Sequence, residues 1–279
     1  MLGQRIVTAV VLLALLLPAL FATVAWPFAV LTLVMIAAAG WEWGRLNNAG
    51  PILSLAFGAL LAAACAAALV AGWTLQAPPA VWWAATLIWV LGGVWALKSG
   101  PAGWHLLPRA GRWVLGLLAL WAAWLALASA RTIGVNFILS IFCLVWAADI
   151  AAYFGGRAFG RRKLALSISP GKSWEGVWFG MAGALGLGLF WMLGLDHWLD
   201  IDSPSLYSHL CSTLGWSGFA FVVVFLAAMS VVGDLVESLV KRSAGAKDSS
   251  ALLPGHGGVL DRIDALLPVF PLALAMASI

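Results

Sequence analysis

Residues 216–242 read WSGFAFVVVFLAAMSVVGDLVESLVKR. No charge occurs from Trp216 to Gly233, and then Asp234, Glu237 and Lys241 follow in quick succession. About 20 apolar residues cross the hydrocarbon core of a bilayer as a helix. A helix is what lipid demands, because backbone N–H and C=O groups find no partner there except one another. On a helix, Asp234, Glu237, Ser238 and Lys241 stand at i, i+3, i+4 and i+7, which is one face. Asp234 then lies about two turns inside the membrane boundary. An ionised group at that depth is costly unless paired or bound to a metal, so a carboxylate there marks function.

The rest of the chain agrees with a membrane setting. Of its 279 residues, 63% are hydrophobic and 9% charged, and the mean hydropathy is +1.02. Soluble domains carry about 25% charged residues, so a water-soluble globule is excluded. With Pro at 12 and Cys at 3, so are collagen-like, disordered and disulfide-scaffold chains. Cys65, Cys143 and Cys211 read as packing residues. Apolar runs near 6–24, 27–43, 52–73, 80–97, 113–130, 134–154, 174–195, 216–240 and 259–278 predict an all-α polytopic protein of about nine transmembrane helices. Barrel strands would alternate over about ten residues, and these runs do not.

Charge orients the spans. With the N-terminus cytoplasmic, the inner loops are 44–51, 98–112, 155–173 and 241–258. The N-terminus, these loops and their flanks hold 14 of the 15 basic residues, and only Arg131 falls outside. Asp196, Asp200 and Asp202 sit in the outer 196–215 segment. Positive residues face inward, so the expectation is N-terminus in and C-terminus out. The net charge of +4 is thereby accounted for without nucleic acid. Residues 1–25 also resemble a signal peptide, but the stretch after Pro18 lacks a small-x-small cleavage site and is expected to be retained. Tryptophans near span ends, such as Trp26, Trp41, Trp43, Trp113 and Trp216, read as interfacial anchors, and Glu42 as interfacial too.

Glu42 is the one acid in residues 1–130; the other ten of eleven lie between Asp149 and Asp264. Residues 1–130 are therefore expected to be scaffold and 131–279 to be catalytic. Asp261 and Asp264 share a face at the start of the last span, again at i, i+3. With Asp234 and Glu237 they would bring four carboxylates together below the cytoplasmic surface. An oxygen-only set suits Mg²⁺, which keeps waters and takes substrate phosphates as further ligands. The alternative is an interhelical salt-bridge lattice, for instance Asp234–Lys241 or Asp261–Arg262.

A second cluster begins at Asp149 near the inner end of its span. A loop follows with Arg157, Arg161, Arg162, Lys163 and Lys172, the hydroxyls of Ser167, Ser169 and Ser173, and several glycines. Glycine lets backbone N–H groups approach a phosphate and Lys/Arg supply charge, although basic inner loops also serve topology alone. Gly171-Lys172-Ser173 is not the end of a P-loop, because Leu166 stands where Gly is required. His256, between Gly255 and Gly257, sits beside Asp261 in sequence; His105, His197 and His209 read as surface residues.

At these positions the chain resembles the phosphatidate cytidylyltransferase (CDP-diacylglycerol synthase) family. Ser238, Lys241, Arg242, Lys247, Asp248, Ser250, Leu253, Pro254, His256, Gly257, Gly258, Asp261, Arg262 and Asp264 match its C-terminal signature over 27 residues. Residues 146–176 are similar to a second family region. Ile150 and Gly171 in that region, and Ser250 within the C-terminal signature, depart from the family's common choices, and Gly171 takes away a side chain that could contact phosphate.

The resemblance implies transfer of the cytidylyl group of CTP to phosphatidate, giving CDP-diacylglycerol and pyrophosphate for phospholipid biosynthesis. It implies Mg²⁺, and leaves open a second, monovalent cation and a homodimer. Asp234 and Asp261 would be metal ligands with Glu237 and Asp264 beside them; Lys241 and Ser238 would join Asp234, Asp261 and Asp264 in catalysis. Arg242, Lys247 and Arg262 would hold phosphates. Ser167, Ser169, Lys172 and Ser173 would bind head groups, with Asp149, Asp248 and His256 completing the substrate site. A bacterial inner membrane with a cytoplasm-facing site follows. The rivals are a CTP-dependent polyprenol kinase and, less favoured, a cation-coupled transporter using Asp149 and Asp234. CDP-alcohol phosphatidyltransferases are set aside, since no Asp here precedes Gly.

Overall fold

The computed structural model describes residues 2–198 and 201–279; Asp200 lies outside them. Helices α1 (Leu2–Leu20), α2 (Trp26–Leu46), α3 (Pro51–Val70), α4 (Pro79–Trp104), α5 (Arg109–Ile133) and α6 (Val135–Phe159) come first. A hairpin of β1 (Lys163–Ala165) and β2 (Ser169–Ser173) leads into α7 (Trp174–Phe190), which continues through a π-helical turn, residues 191–195, into the short α8 (Asp196–Trp198). The long α9 (Leu206–Ser243), α10 (Leu260–Ile263) and α11 (Leu266–Ala277) complete the order. Eight helices among the described residues are long and apolar enough to cross a membrane. The expected ninth run is divided into α10 and α11.

Several boundaries have local causes. The break between the first two runs is real: α1 ends at Leu20, and α2 starts with Pro27 in its first turn, where a missing N–H costs nothing. The eighth run starts ten residues earlier than expected, because α9 turns at Gly215 (φ 69°, ψ −178°), a conformation that favours glycine. The loop expected at 155–173 is in part helix, since α6 runs to Phe159, and in part a small antiparallel hairpin pairing Lys163 with Ser173 and Ala165 with Ser169.

Helices α6 and α7 touch backbone to backbone. A Cβ on Gly176 would come within 2.9 Å of Ala152 O, and one on Gly180 within 2.9 Å of Ala148 O. Small residues at such a crossing are how helices associate where lipid supplies no hydrophobic drive. The crossing places Asp149 on α6 opposite the hairpin that opens α7.

The core centres on α11, where Val269, Phe270, Leu272, Ala273 and Ala275 are each at most 1% exposed. α4, α5, α6 and α9 surround it. Tryptophan divides into two populations. Trp26 and Trp216 are exposed, as anchors should be, whereas Trp43 is buried and donates from Nε1 to Arg112 O (2.9 Å). Trp104 and Trp124 are likewise inside, donating to Asn47 Oδ1 (2.9 Å) and Ala29 O (3.2 Å). An indole N–H that finds an acceptor is as suited to the interior as to the interface.

Candidate active site

A cavity of about 450 Å³ opens between α6, α7, α9 and the hairpin. Asp149, Arg157, Ser169, Lys172, Ser173 and Asp234 contribute its polar lining. Lys172 Nζ lies 2.8 Å from Asp234 Oδ2, and Ser238 donates to Asp234 Oδ1 at 3.3 Å. The hairpin aims Lys172 by fixed contacts. Ser173 Oγ accepts the Gly176 N–H (3.2 Å) as the N-cap of α7. Glu175 Oε2 accepts the backbone N–H groups of Arg161 and Arg162, both at 3.1 Å, which pins the entry to β1. Ser167 sits exposed at the hairpin tip, and Gly171 has open space where a side chain would stand.

One turn further along α9 a second group of charges forms. Lys241 Nζ contacts Glu237 Oε2 (2.7 Å) and Asp261 Oδ1 (2.6 Å). Asp261 Oδ2 accepts from Ser249 N (2.9 Å), Ser249 Oγ (2.9 Å) and Gly258 N (2.7 Å), so the loop 249–258 folds around that carboxylate. The ion pairs are therefore Lys172–Asp234, Lys241–Glu237 and Lys241–Asp261, not the Asp234–Lys241 and Asp261–Arg262 pairs considered from sequence. α9 and the start of the last element meet closely: a Cβ on Gly233 would lie 2.4 Å from Asp264 O. The Asp264 carboxylate accepts the Ala265 N–H at 2.7 Å.

Arg242 donates to Ala246 O (2.9 Å) and Ile168 O (3.4 Å), linking α9 to the hairpin. Lys247, Asp248 and Arg262 are exposed. His256 sits in a tight turn closed by its N–H to Leu253 O (2.8 Å), and its Nδ1 is buried without a hydrogen-bond partner. His209 is not free on the surface; its Nε2 lies 2.9 Å from Ala277 O.

Among the described residues no three His, Cys, Asp or Glu side chains are gathered as a ready metal cluster. The donors nonetheless fit a hard divalent cation. They are all carboxylate oxygens, and Glu237 Oε1, on a residue 3% exposed, has no hydrogen-bond partner. A magnesium ion typically takes only one or two protein carboxylates and completes its shell with water and phosphate.

Sequence reasoning missed Glu42. It is 0% exposed, not interfacial, and it reaches from α2 into the 249–260 segment. The signal was available: a lone acid in an apolar helix is a functional candidate by the rule that singled out Asp234.

Eight long apolar helices, three of which line a cavity holding Arg157, Lys172, Asp149 and Asp234 with the hydroxyls of Ser169 and Ser173, define a polytopic membrane protein with a polar site set among its spans. The model of the "Cytidylyltransferase family" matches residues 3–279, and the chain belongs to that family. It is 43% identical to the phosphatidate cytidylyltransferase of Pseudomonas aeruginosa, over 99% of this chain and 97% of that protein. It is 37% identical to the phosphatidate cytidylyltransferase of Brucella suis, over 86% of this chain and 73% of the relative. The enzyme of the same name from Haemophilus influenzae is 49% identical over 50% of this chain and 44% of its own length.

Proposed function

We propose that the chain transfers the cytidylyl group of CTP to phosphatidate, forming CDP-diacylglycerol and releasing pyrophosphate. The observation that carries this reading is the cavity in which Lys172 meets Asp234, built from the residues on which the family resemblance rests. A phosphate oxygen of phosphatidate attacks the α-phosphorus of CTP. The bond from that phosphorus to the β-phosphate oxygen breaks, and its electron pair leaves with pyrophosphate. No protein nucleophile is needed, because the lipid phosphate is the nucleophile.

Two polyanions must be brought together, so the protein's task is neutralisation and alignment. Lys172 and the Ser169 and Ser173 hydroxyls face the cavity that would receive a phosphate head group. Lys241 and Arg242, with the exposed Lys247 and Arg262, would supply positive charge for the triphosphate. Asp234 and Asp261, with Glu237 and Asp264 near them, would hold Mg²⁺; the ion would supply Lewis-acid stabilisation of charge on phosphate oxygens. A cavity lined by the spanning helices α6, α7 and α9 suits a substrate whose acyl chains stay in the bilayer. Residues 131–279 would then act as the catalytic region and 1–130 as its support. In the orientation inferred from basic residues, the site faces the cytoplasm across a bacterial inner membrane, with the N-terminus inside and the C-terminus outside.

The test is a product analysis of purified protein given CTP, phosphatidate and Mg²⁺. Pyrophosphate should appear one for one with CDP-diacylglycerol. Release of CDP would signify γ-phosphoryl transfer and remove the assignment, as would turnover that does not depend on lipid.

A further inference from the structure

Glu42 is fully buried and accepts four hydrogen bonds from four separate donors. Its Oε1 accepts from Ser250 Oγ (2.5 Å) and Val259 N (2.9 Å), and its Oε2 from Leu260 N (2.7 Å) and Ser249 Oγ (3.2 Å). All four donors belong to the segment that carries Asp261, more than 200 residues away in sequence. Every donor is a neutral hydroxyl or backbone N–H, and none of the ion pairs among the described residues includes Glu42. A fully buried carboxylate survives only where such donors replace water, and charge-assisted bonds of this kind are roughly twice as strong as neutral ones.

Two further observations connect this grip to the site. The Ser249 hydroxyl lies 2.9 Å from Asp261 Oδ2 and 3.2 Å from Glu42 Oε2, so the two carboxylates share one hydroxyl proton. Gly258 is the second: a Cβ there would stand 2.3 Å from Glu42 Oε1 and 2.0 Å from Ser249 Oγ. Its φ is not in the left-handed region, so glycine is favoured at 258 by the room that Ser249 and Glu42 together take, not by backbone conformation. The second glycine of the His256-Gly257-Gly258 motif is thus the place where Ser249 and a residue on α2 meet.

We propose that Glu42 is a positioning residue of the transfer reaction. It fixes the 249–260 segment so that Asp261, through Ser249 and the Gly258 N–H, presents its carboxylate to Lys241 in the geometry catalysis needs. The inference rests on the reading of Asp261 as part of the reacting site. Misplacement by about 1 Å of a group remote from the chemistry can cost about 100-fold in rate.

In Glu42→Gln one acceptor oxygen becomes an NH₂ group facing two donors, while the size of the side chain is kept. The experiment is steady-state pyrophosphate release by the full chain in mixed micelles of detergent and phosphatidate, with thermal unfolding measured in parallel. Wild-type turnover is the control that keeps the function assignment separate from this inference. Expected for Glu42→Gln is a kcat lowered roughly 10- to 100-fold, with KM for CTP within about twofold of wild type. Glu42→Asp, which keeps the charge, should recover part of that loss. A Glu42→Gln enzyme whose kcat per folded molecule equals wild type overturns the proposal, and so does equal loss in Glu42→Asp and Glu42→Gln.

If Glu42→Gln does not fold, Ser250→Ala decides. It deletes one bond to Glu42, and Asp261 is not among the hydrogen-bond partners of Ser250. A kcat lowered about threefold at unchanged KM supports the proposal; an unchanged kcat overturns it.

Discussion

The two charged groups along α9 are built in opposite ways. Around Asp234 the partners are few: one lysine, one long contact to Ser238, and an open cavity beside them. Around Asp261 the partners are many. A lysine, a hydroxyl and two backbone N–H groups hold it, and Glu42 holds the same loop from behind. A group with unused hydrogen-bonding capacity beside empty space can receive a ligand. A saturated group must first give up a partner, as Asp261 would in taking a metal ion, and until then its rigidity defines where other charges stand. The Asp234 region is thus organised for binding and the Asp261 region for precision.

Substitutions can break this contrast. The largest effect is expected for Asp261→Asn, which confronts the Ser249 and Gly258 N–H groups with an amide and takes a charge from Lys241. Turnover should fall on the order of 10³-fold or more while the protein still inserts and folds, as read from pyrophosphate release and size-exclusion profiles. Near-wild-type activity would remove Asp261 from the site. Next is Lys172→Ala on the open side. Loss of one charge-assisted contact should lower kcat/KM for phosphatidate about 10- to 100-fold, with little change in unfolding temperature because the cavity already exposes the pair. A large drop in that temperature would show the open side to be framework as well.

Gly180→Ala tests the support under both regions, since its methyl group would press on Ala148 O. A cost of about 1–3 kcal/mol is expected for such overpacking, measured by thermal or denaturant unfolding in detergent. The smallest effect belongs to the far end of the molecule. Asp202 accepts the Val135 N–H (2.5 Å) and the Asn136 N–H (3.0 Å) at the start of α6. Partial burial raises its pKa, but these N–H groups and the Ser203 hydroxyl outweigh burial and hold it below its ordinary value. A depressed carboxylate contributes stability that is fully present above its unfolded pKa and is lost as pH falls through its folded pKa. Asp202→Asn should therefore cost less than about 1 kcal/mol at neutral pH, given solvent screening. The difference from wild type should vanish only in acid, below the usual carboxylate range.

Much of the architecture was legible because hydrocarbon leaves the chain so few choices. Apolar length located the helices, and the Gly215 bend and the hairpin escaped because they depend on a few local dihedrals within otherwise ordinary stretches. Residues of the candidate site were legible where a charge interrupts an apolar run, as at Asp149 and Asp234, which the fold brings to one cavity. What escaped was pairing over distance. Nothing near Arg131 in sequence shows that its guanidinium closes the end of α1, donating to Leu20 O (2.7 Å) and Ala22 O (2.5 Å). Nothing near Glu42 shows that a loop 200 residues on will wrap it. Such contacts are properties of the folded chain, and composition and periodicity carry no trace of them.

The central place of α11 has a consequence for biogenesis. The helices packed around it, α4, α5, α6 and α9, all precede it in the chain. Domains and segments made first generally fold first during synthesis, yet here the earlier helices lack their centre until residues 266–277 arrive. The bundle must wait half-assembled in the bilayer, with Glu42 still lacking the loop that satisfies it. Assembly is therefore a late event in translation, and the catalytic loop is completed in the same interval as the core.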